Sequence, residues 1–288
     1  MKHTRHVKDG WFYETCPMWP GMALSLEIKN ILYDEKSLFQ HIQVFETQNH
    51  GKMLALDGII QLTQFDEFSY QEMLAHVPLF AHPNPETILV IGGGDGGILR
   101  EAGRHTCVTT MDFCEIDDMV IQVSKQFLPD LACGFDDPRV NVFIGDGAAF
   151  VREKTGVYDV IIVDSSDPIG PGEVLFKQPF YECLKNALKP GGIIATQGES
   201  IFLHKDCVIN LAKITRDLFD RQAYASFMVP TYPGGNIGIC LGSLGPDLTR
   251  PARKIDPGIQ EQLKYYSPEI HKAAFVLPYF ARKMLEHL

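Results

Sequence analysis

Five short runs of apolar residues, separated by stretches with helical spacing, constrain the fold of this chain more than any other feature. The runs cover residues 87–91, 110–114, 140–144, 159–163 and 192–196. Strands that are buried on both faces have this pattern, and helices between them give βαβ units with a parallel sheet. Two further strands, over 224–229 and 237–241, flank a turn rich in Pro and Gly and predict an antiparallel end of the sheet. The sequence therefore predicts an α/β fold.

The N-terminal part of the chain has a different pattern, in which apolar and polar residues alternate. Four short segments predict a small antiparallel sheet of hairpins, namely 23–28, 41–46, 53–58 and 59–63. A helix is expected over 66–81, and another after Pro268. We therefore expect two domains, a β-hairpin domain over residues 1–65 and an α/β domain with the parallel sheet over 66–288.

A glycine-rich turn follows the first apolar run, with the sequence Gly92-Gly93-Gly94-Asp95-Gly96-Gly97. Its glycines have the G-x-G-x-x-G spacing of turns that present backbone N–H groups and a helix N-terminus to a pyrophosphate. The carboxylate of Asp95 would repel a pyrophosphate and attract a cation. The turn therefore predicts a nucleoside site whose ligand is positively charged where a dinucleotide is negative.

A carboxylate follows each of the five apolar runs, at the strand ends where open α/β sheets bind their ligands. Glu115 lies 20 residues after Asp95, as expected of an acid that accepts hydrogen bonds from both ribose hydroxyls, and helix capping is the alternative. Asp146 suits either an adenine amino group or the N-cap of the next helix, and the two roles are compatible.

Two further acids, Asp164 and Asp167, lie between the fourth run and a Pro/Gly-rich segment over 168–172, which predicts a loop. Two neighbouring carboxylates can divide the tasks of taking a proton and holding a cation, and an Asp-rich capped turn is the alternative. Tyr70 and Tyr232 suit a cationic ligand with an apolar stem, although a lone tyrosine more often belongs to the core.

The composition excludes several classes of protein. A formal net charge of -10 argues against a nucleic-acid surface and suits a cationic small molecule. Seven cysteines without a C-x-x-C motif predict neither a disulfide framework nor a zinc site. The chain has no apolar run long enough to span a membrane and no signal-peptide pattern, so a cytoplasmic protein is expected. His204 and the other scattered histidines are interpreted as structural or solvent-facing.

Taken together, these residues resemble the spermidine synthases, which are aminopropyltransferases with a class I methyltransferase-like fold, along nearly the whole chain. The matching motifs are Met18-Trp19-Pro20-Gly21, Leu56-Asp57-Gly58, 66–72, 92–97, Glu115-Ile116-Asp117, Gly145-Asp146-Gly147, 164–170, 230–233 and 263–266. The resemblance implies a Rossmann-like sheet preceded by an N-terminal β domain, in a homodimer or homotetramer. Gln64-Phe65 stand where the family often has Glu-Arg, and we expect an altered local contact or interface there.

The reaction implied is the transfer of an aminopropyl group from decarboxylated S-adenosylmethionine to putrescine, without a metal. Its products are spermidine and 5'-methylthioadenosine. By position, the residues that match the donor site are Gln40, Gln71, Gly92, Gly94, Asp95, Glu115, Asp146 and Gly147. Asp95 would hold the ammonium group of the donor.

The resemblance also implies the site of the acceptor amine. Asp164 matches the general base, with Tyr70 and Asp167 orienting the amine, and the loop after Asp164 matches a gatekeeping segment. The diamine site comprises Tyr70, Asp164, Asp167 and Tyr232, with Trp19 and Glu199 lining its far end. The length of the acceptor is left open among putrescine, cadaverine, 1,3-diaminopropane and spermidine.

Three competing functions fit the sequence less well. A putrescine N-methyltransferase would use S-adenosylmethionine, whose carboxylate Asp95 would repel. An NAD-dependent oxidoreductase would bring a pyrophosphate to the same acid. A non-catalytic nucleoside- or polyamine-binding protein would have lost the base or the aromatic residues, yet Asp164, Tyr70 and Tyr232 are all present.

Overall fold

A computed structural model of the chain describes residues 6–165 and 170–286. Its first part is a six-stranded antiparallel sheet in which each strand pairs with the next along the chain. The strands are β1 (Val7–Lys8), β2 (Trp11–Glu14), β3 (Leu24–Lys36), β4 (His41–Thr47), β5 (Lys52–Leu56) and β6 (Ile59–Thr63). The predicted antiparallel sheet is therefore present. The sheet is larger than predicted, because β3 extends eight residues past its expected end at residue 28 and because β1 and β2 precede it.

The second part is a seven-stranded sheet. Its strands are β7 (Thr87–Gly92), β8 (Thr110–Glu115), β9 (Val140–Ile144), β10 (Tyr158–Asp164), β11 (Leu188–Gln197), β12 (Arg221–Met228) and β13 (Asn236–Ser243). The order across the sheet is β12-β13-β11-β10-β7-β8-β9. The strands β7 to β11 pair in parallel, and β13 pairs antiparallel with both β11 and β12. The predicted Rossmann-like sheet with an antiparallel C-terminal end is confirmed.

The chain order reverses between β7 and β10, which are neighbours in the sheet. From β7 the chain moves outward through β8 to β9, and it then returns to build β10 and β11 on the other side. Such a switch point opens a crevice at the carboxyl ends of the strands. The ends of β7 and β10 are therefore where the fold leaves room for a ligand.

Strand β9 differs from the sequence-based expectation. Its apolar run predicted a strand buried on both faces, but β9 is one of the two edge strands of the sheet. Val142, Phe143 and Ile144 are 45%, 41% and 51% exposed. The apolar pattern of an edge strand and of a central strand can be the same, because the pattern reports side-chain type and not the number of neighbouring strands.

Helices cover both faces of this sheet. They are α1 (Glu67–Ala81), α2 (Gly97–Gly103), α3 (Asp118–Phe127), α4 (Pro129–Ala132), α5 (Gly147–Arg152), α6 (Gln178–Ala187), α7 (Lys205–Leu218), α8 (Pro257–Gln260), α9 (Pro268–Ala273) and α10 (Tyr279–Glu286). The expected C-terminal helix is thus two helices, α9 and α10. None of the helices in the described parts of the chain is long and apolar enough to cross a membrane.

Helix α1 is buried and is held in place by hydrogen bonds to distant segments of the chain. Every residue of α1 except Phe68 is buried. Just before it, the Asp66 carboxylate accepts hydrogen bonds from the backbone N of Thr231 at 2.7 Å and from the hydroxyl of Thr63 at 2.8 Å. Within it, Glu72 accepts three backbone N–H bonds from residues 264–266, at 2.7 to 2.8 Å. Because both carboxylates accept several hydrogen bonds from other segments of the chain, the position of α1 is tightly determined.

The two sheets meet through α3 and α4. One apolar cluster combines Ile42, Val44, Leu54 and Leu62 of the N-terminal sheet with Val120 and Val123 of α3, Leu131 of α4 and Leu128 between the two helices. All eight side chains are buried, so the antiparallel sheet is packed against the α/β part beside the end of β8.

Candidate active site

A cavity of about 270 Å³ opens at the carboxyl ends of β7, β8, β10 and β11, where α1 and the N-terminal sheet close it. Thirteen of the residues selected from the sequence line it: Trp19, Gln40, Tyr70, Gln71, Gly92, Gly94, Asp95, Glu115, Asp146, Gly147, Asp164, Glu199 and Tyr232. Asp167 lies outside the described residues, as does most of the expected gatekeeping segment. The fold therefore brings together every selected residue that the structure describes.

The glycine turn lets the ends of β7 and β10 approach each other closely. Gly92 and Gly93 have φ angles of +78° and +75°, which favour glycine. A Cβ atom on Gly92 would overlap the backbone oxygen of Asp164, and one on Gly93 would lie 2.7 Å from its Oδ2. The turn thus needs glycine in order to hold the Asp164 carboxylate against the backbone of the neighbouring strand.

Asp95 is held by two hydrogen bonds at the start of α2. Its Oδ1 accepts from the backbone N of Gly97 at 2.7 Å and from Nε2 of Gln71 at 3.0 Å. The residue is 9% exposed. Burial, and next the negative charge of Asp164, raise the pKa of Asp95 to about 8. An incoming cation would restore the charged form of this acid.

Asp164 is positioned by a hydrogen bond from Tyr70. The Tyr70 hydroxyl donates to Oδ1 of Asp164 at 2.6 Å. Desolvation raises the pKa of Asp164 to about 6, and the Tyr70 bond opposes the shift. Burial raises the pKa of Tyr70 itself well above its usual value, so the phenol stays a donor. The second oxygen of Asp164 remains an acceptor that can take a proton.

Two aromatic rings stand beside these acids. The centroids of Tyr70 and Tyr232 are 5.8 Å apart, and the Tyr232 hydroxyl donates to the backbone oxygen of Gln61 at 2.6 Å. A pair of rings next to carboxylates suits a ligand that combines methylene groups with an ammonium group. This end of the cavity therefore combines acids with aromatic rings, the combination that a cationic ligand with an apolar stem requires.

Two acids lie at the other end of the cavity. Burial raises the pKa of Glu115 to about 7, and the carboxylate accepts from the backbone N of Asp117 at 3.0 Å. Asp117, not Glu115, is the N-cap of α3, so the capping alternative for Glu115 is wrong. Asp146 does cap α5, because its Oδ1 accepts from the backbone N of Ala148 at 2.8 Å. Its Oδ2 remains available as a further acceptor.

The part of the cavity around Glu199 contains residues that sequence reasoning missed. Glu199 has φ +62°, and its carboxylate lies 2.7 Å from Nδ1 of His204. The His204 ring lies 5.8 Å from that of Trp19, and its side chain is only 8% exposed. The interpretation of His204 as structural or solvent-facing is therefore incomplete, since it forms part of the cavity wall together with Glu14 and Gln197.

A left-handed backbone conformation at a non-glycine residue costs about 1 kcal/mol or more and is concentrated at functional sites. At Glu199 it is stabilised by two bonds to the backbone oxygen, from the Tyr224 hydroxyl at 2.6 Å and from the backbone N of Gly238 at 3.0 Å. The surrounding structure thus keeps this carboxylate in the cavity. No signal in the sequence predicts such a backbone conformation.

Within residues 6–165 and 170–286, no group of three or more His, Cys, Asp or Glu side chains is arranged to hold a metal ion. Besides aliphatic residues and glycines, the cavity is lined by carboxylates, amides and aromatic rings. This arrangement can bind ammonium groups and accept a proton.

Comparisons with known proteins agree with this geometry. The spermine/spermidine synthase domain matches residues 67–250, and the spermidine synthase tetramerisation domain matches residues 10–64. A spermidine synthase of Dictyostelium discoideum is 50% identical over 279 residues, which are 97% of this chain and 98% of that protein. One of Coffea arabica is 52% identical over 290 residues, covering 97% of this chain and 92% of that protein.

Two solved structures are also similar. Spermidine synthase in complex with the transition-state analogue AdoDATO has a TM-score of 0.90 and 36% identity, with 100% of this chain and 99% of that chain covered. Spermidine synthase from Thermotoga maritima has a TM-score of 0.88 and 36% identity, with 99% and 96% covered.

Proposed function

The chain belongs to the spermidine synthase family, and on that premise we propose that it transfers the aminopropyl group of decarboxylated S-adenosylmethionine to putrescine. The products are spermidine and 5'-methylthioadenosine. One observation carries the proposal: Asp95 and Asp164, two acids from different strand ends, line a single cavity beside the Tyr70 ring. An ammonium on each substrate would neutralise this otherwise unfavourable pair.

The chemical step is a nucleophilic displacement at the donor carbon next to the sulfonium. The amine lone pair forms the new C–N bond while the C–S bond breaks, and the sulfur leaves as the neutral thioether of 5'-methylthioadenosine. An ammonium has no lone pair, so the attacking amine must lose a proton, and Asp164 is the acid proposed to take it. Tyr70 donates to Oδ1 of Asp164 and leaves Oδ2 for that proton.

The pKa values decide whether this base is adequate. Each unit of mismatch between the amine and the acid costs about 1.36 kcal/mol. Desolvation raises the pKa of Asp164 to about 6, and the same environment lowers the pKa of a bound amine. The difference between the two pKa values therefore becomes smaller. Holding the two substrates together in one cavity supplies much of the remaining rate.

Donor selection depends on charge at Asp95. The decarboxylated donor brings an ammonium to this buried carboxylate, whereas S-adenosylmethionine would also bring a carboxylate. Gln71 donates to Asp95 at 3.0 Å and orients it. We propose Glu115 for the ribose hydroxyls and Asp146 for the adenine amino group, since both carboxylates line the opposite end of the cavity.

Acceptor binding is proposed to use the Tyr70 and Tyr232 rings for the methylene chain. Glu199 then receives the distal ammonium, with Trp19 closing that end. Asp167, outside the described residues, remains the proposed second acid for the reacting amine.

We further infer a cytoplasmic homodimer or homotetramer that assembles through the β-hairpin domain, proposed over residues 1–65 ahead of the catalytic domain over 66–288. The match of residues 10–64 to a tetramerisation domain supports this assembly. Phe65, one of the two residues that depart from the family pattern, is 53% exposed, so it is available for a contact with another copy.

A product assay tests the function. The purified protein is incubated with decarboxylated S-adenosylmethionine or S-adenosylmethionine, each against putrescine, cadaverine, 1,3-diaminopropane and spermidine, and the amines are identified by mass spectrometry. We expect spermidine from the decarboxylated donor and putrescine. N-methylputrescine formed from S-adenosylmethionine would instead establish a methyltransferase.

A further inference from the structure

The carboxylate of Asp117 joins the two parts of the molecule at the nucleoside end of the cavity. Its Oδ2 accepts from the Ser37 hydroxyl at 2.6 Å and from Nε2 of Gln40 at 2.9 Å. Its Oδ1 accepts from the backbone N of Met119 at 3.2 Å and so caps α3. The residue is 3% exposed. One buried carboxylate therefore holds both a helix of the α/β part and the turn between β3 and β4.

That turn, residues 37–40, forms part of the cavity wall. The Ser37 hydroxyl accepts from the backbone N of Phe39 and of Gln40, both at 3.0 Å, while it donates to Asp117. Phe39 and Gln40 line the cavity, whereas Leu38 at the tip is 97% exposed. The Ser37 hydroxyl therefore gives Asp117 a second bond to the 37–40 turn, in addition to the bond from Gln40.

The hydrogen-bond chemistry also fixes which way the Gln40 amide faces. An ionised carboxylate can only accept, so Gln40 must direct its NH2 group to Asp117. The amide oxygen Oε1, which is an acceptor, is then left for the cavity. The backbone N of Asp117 donates to the Glu115 carboxylate at 3.0 Å, so this amide is held beside the acid proposed for the ribose.

We propose that Asp117 is a positioning residue for the nucleoside: it fixes the Gln40 amide so that Oε1 accepts a hydrogen bond from a nucleoside hydroxyl alongside Glu115. This inference rests on the proposed function. Asp117 does not touch the reacting atoms, and its effect reaches both the donor and 5'-methylthioadenosine, because they share the nucleoside.

The substitution Asp117→Asn separates this role from helix capping. Asn caps helices as well as Asp, so α3 keeps its N-cap. Because the side-chain oxygen of the substituted Asn is used for the cap, its NH2 group faces the 37–40 turn. The Gln40 amide must then turn its oxygen to this NH2 group, so that it presents N–H instead of Oε1 to the nucleoside. We expect the Kd for 5'-methylthioadenosine to rise about tenfold, as for one lost hydrogen bond. The KM for the decarboxylated donor rises by the same factor, and the KM for putrescine stays within about twofold.

The decisive test exchanges the carboxylate of Asp117 and the amide of Gln40 between the two positions. Gln40→Glu alone sets two carboxylates against each other and weakens nucleoside binding. The double variant Asp117→Asn/Gln40→Glu restores a donor facing an acceptor and again leaves an acceptor oxygen for the nucleoside. We expect its Kd for 5'-methylthioadenosine to return to within about threefold of the wild-type value.

Two more variants distinguish positioning from a general loss of structure. Ser37→Ala removes the bond from Ser37 to Asp117 but keeps the bond from Gln40, so we expect the Kd for 5'-methylthioadenosine to rise about threefold or less. If Asp117 only held the turn in place, Ser37→Ala would raise this Kd as much as Asp117→Asn does. Asp118→Asn makes the same chemical change at the exposed neighbouring residue and leaves binding unchanged.

Calorimetric titration with 5'-methylthioadenosine, on variants whose circular dichroism matches that of the wild type, gives these Kd values without turnover. An unchanged Kd in Asp117→Asn, or a double variant no tighter than the single variants, overturns the inference. Failure of the wild type to make spermidine overturns the proposed function instead, so the two failures are distinguishable.

Discussion

Replacing Glu115 by Gln is expected to stabilise the ligand-free protein while it weakens donor binding. Glu115 is 8% exposed, and its burial raises its pKa from 4.5 to about 7 despite opposing hydrogen bonds from the backbone N of Asp117 and of Ile116. The folded state therefore binds more protons than the unfolded state between pH 4.5 and 7. The contribution of Glu115 to the stability of the wild type therefore falls as the pH rises through that window and is constant above it.

The size of the effect follows from this shift. A change from 4.5 to about 7 is about 2.5 pKa units, and at about 1.36 kcal/mol for each unit it costs the folded state about 3.4 kcal/mol above pH 8. At pH 5 only about 0.8 kcal/mol of this cost is present. Because Gln has no charge to bury, we expect Glu115→Gln to gain about 2.5 kcal/mol relative to the wild type between pH 5 and pH 8.

Urea unfolding of both proteins at pH 5 and at pH 8, followed by circular dichroism, measures this gain. The comparison between the two pH values removes any constant difference between a protonated Glu and a Gln. Glu153→Gln, the same change at an exposed position after α5, is the control and should follow the wild type. If the pH dependence of Glu115→Gln and of the wild type agrees within about 0.5 kcal/mol, burial of a charged Glu115 is refuted.

Three further substitutions test Asp164, Asp95 and Tyr70, and Asp206→Asn on an exposed part of α7 is their common control. Asp164→Asn should lower kcat at least about 100-fold while the Kd for 5'-methylthioadenosine is retained, and near-normal turnover would remove Asp164 from the role of base. Asp95→Asn should raise the Kd of the decarboxylated donor about tenfold or more but that of S-adenosylmethionine much less; an equal loss for both would contradict charge selection. Tyr70→Phe removes the bond that lowers the pKa of Asp164, so the acidic limb of the pH–rate profile should move to higher pH, and an unmoved limb would contradict the pairing.

The fold and most of the site were predictable because both depend on local patterns. In a parallel sheet the carboxyl ends of the strands meet at one edge, so acids such as Asp95, Glu115 and Asp164, which follow separate apolar runs, come together once the strand order is right. The glycine turn was equally informative, since a close approach of two strand ends requires residues without a Cβ atom.

What was not predictable depends on contacts between distant segments. The strands β1 and β2 are short, and β3 is irregular, with shifts in register between Ile28 and Asn30 and between Ile31 and Tyr33. His204 joins the site only because α7 starts against Trp19 from the N-terminal part of the chain. The exposure of β9 reflects its place at the sheet edge, which residue type does not reveal.

The course of α1 limits how this enzyme family can diversify. Tyr70 and Gln71 are consecutive, so their side chains leave the helix about 100° apart, and they donate to Asp164 and Asp95 respectively. A substitution behind α1 that shifts the helix therefore changes the affinity for both substrates at once. Glu199 and Trp19 line the cavity from other segments of the chain, so under the proposed acceptor site mutations there would alter the length of the accepted amine without moving α1. Under the proposed assignment, substitutions near Glu199 and Trp19 change the acceptor alone, whereas substitutions that move α1 change the binding of both substrates.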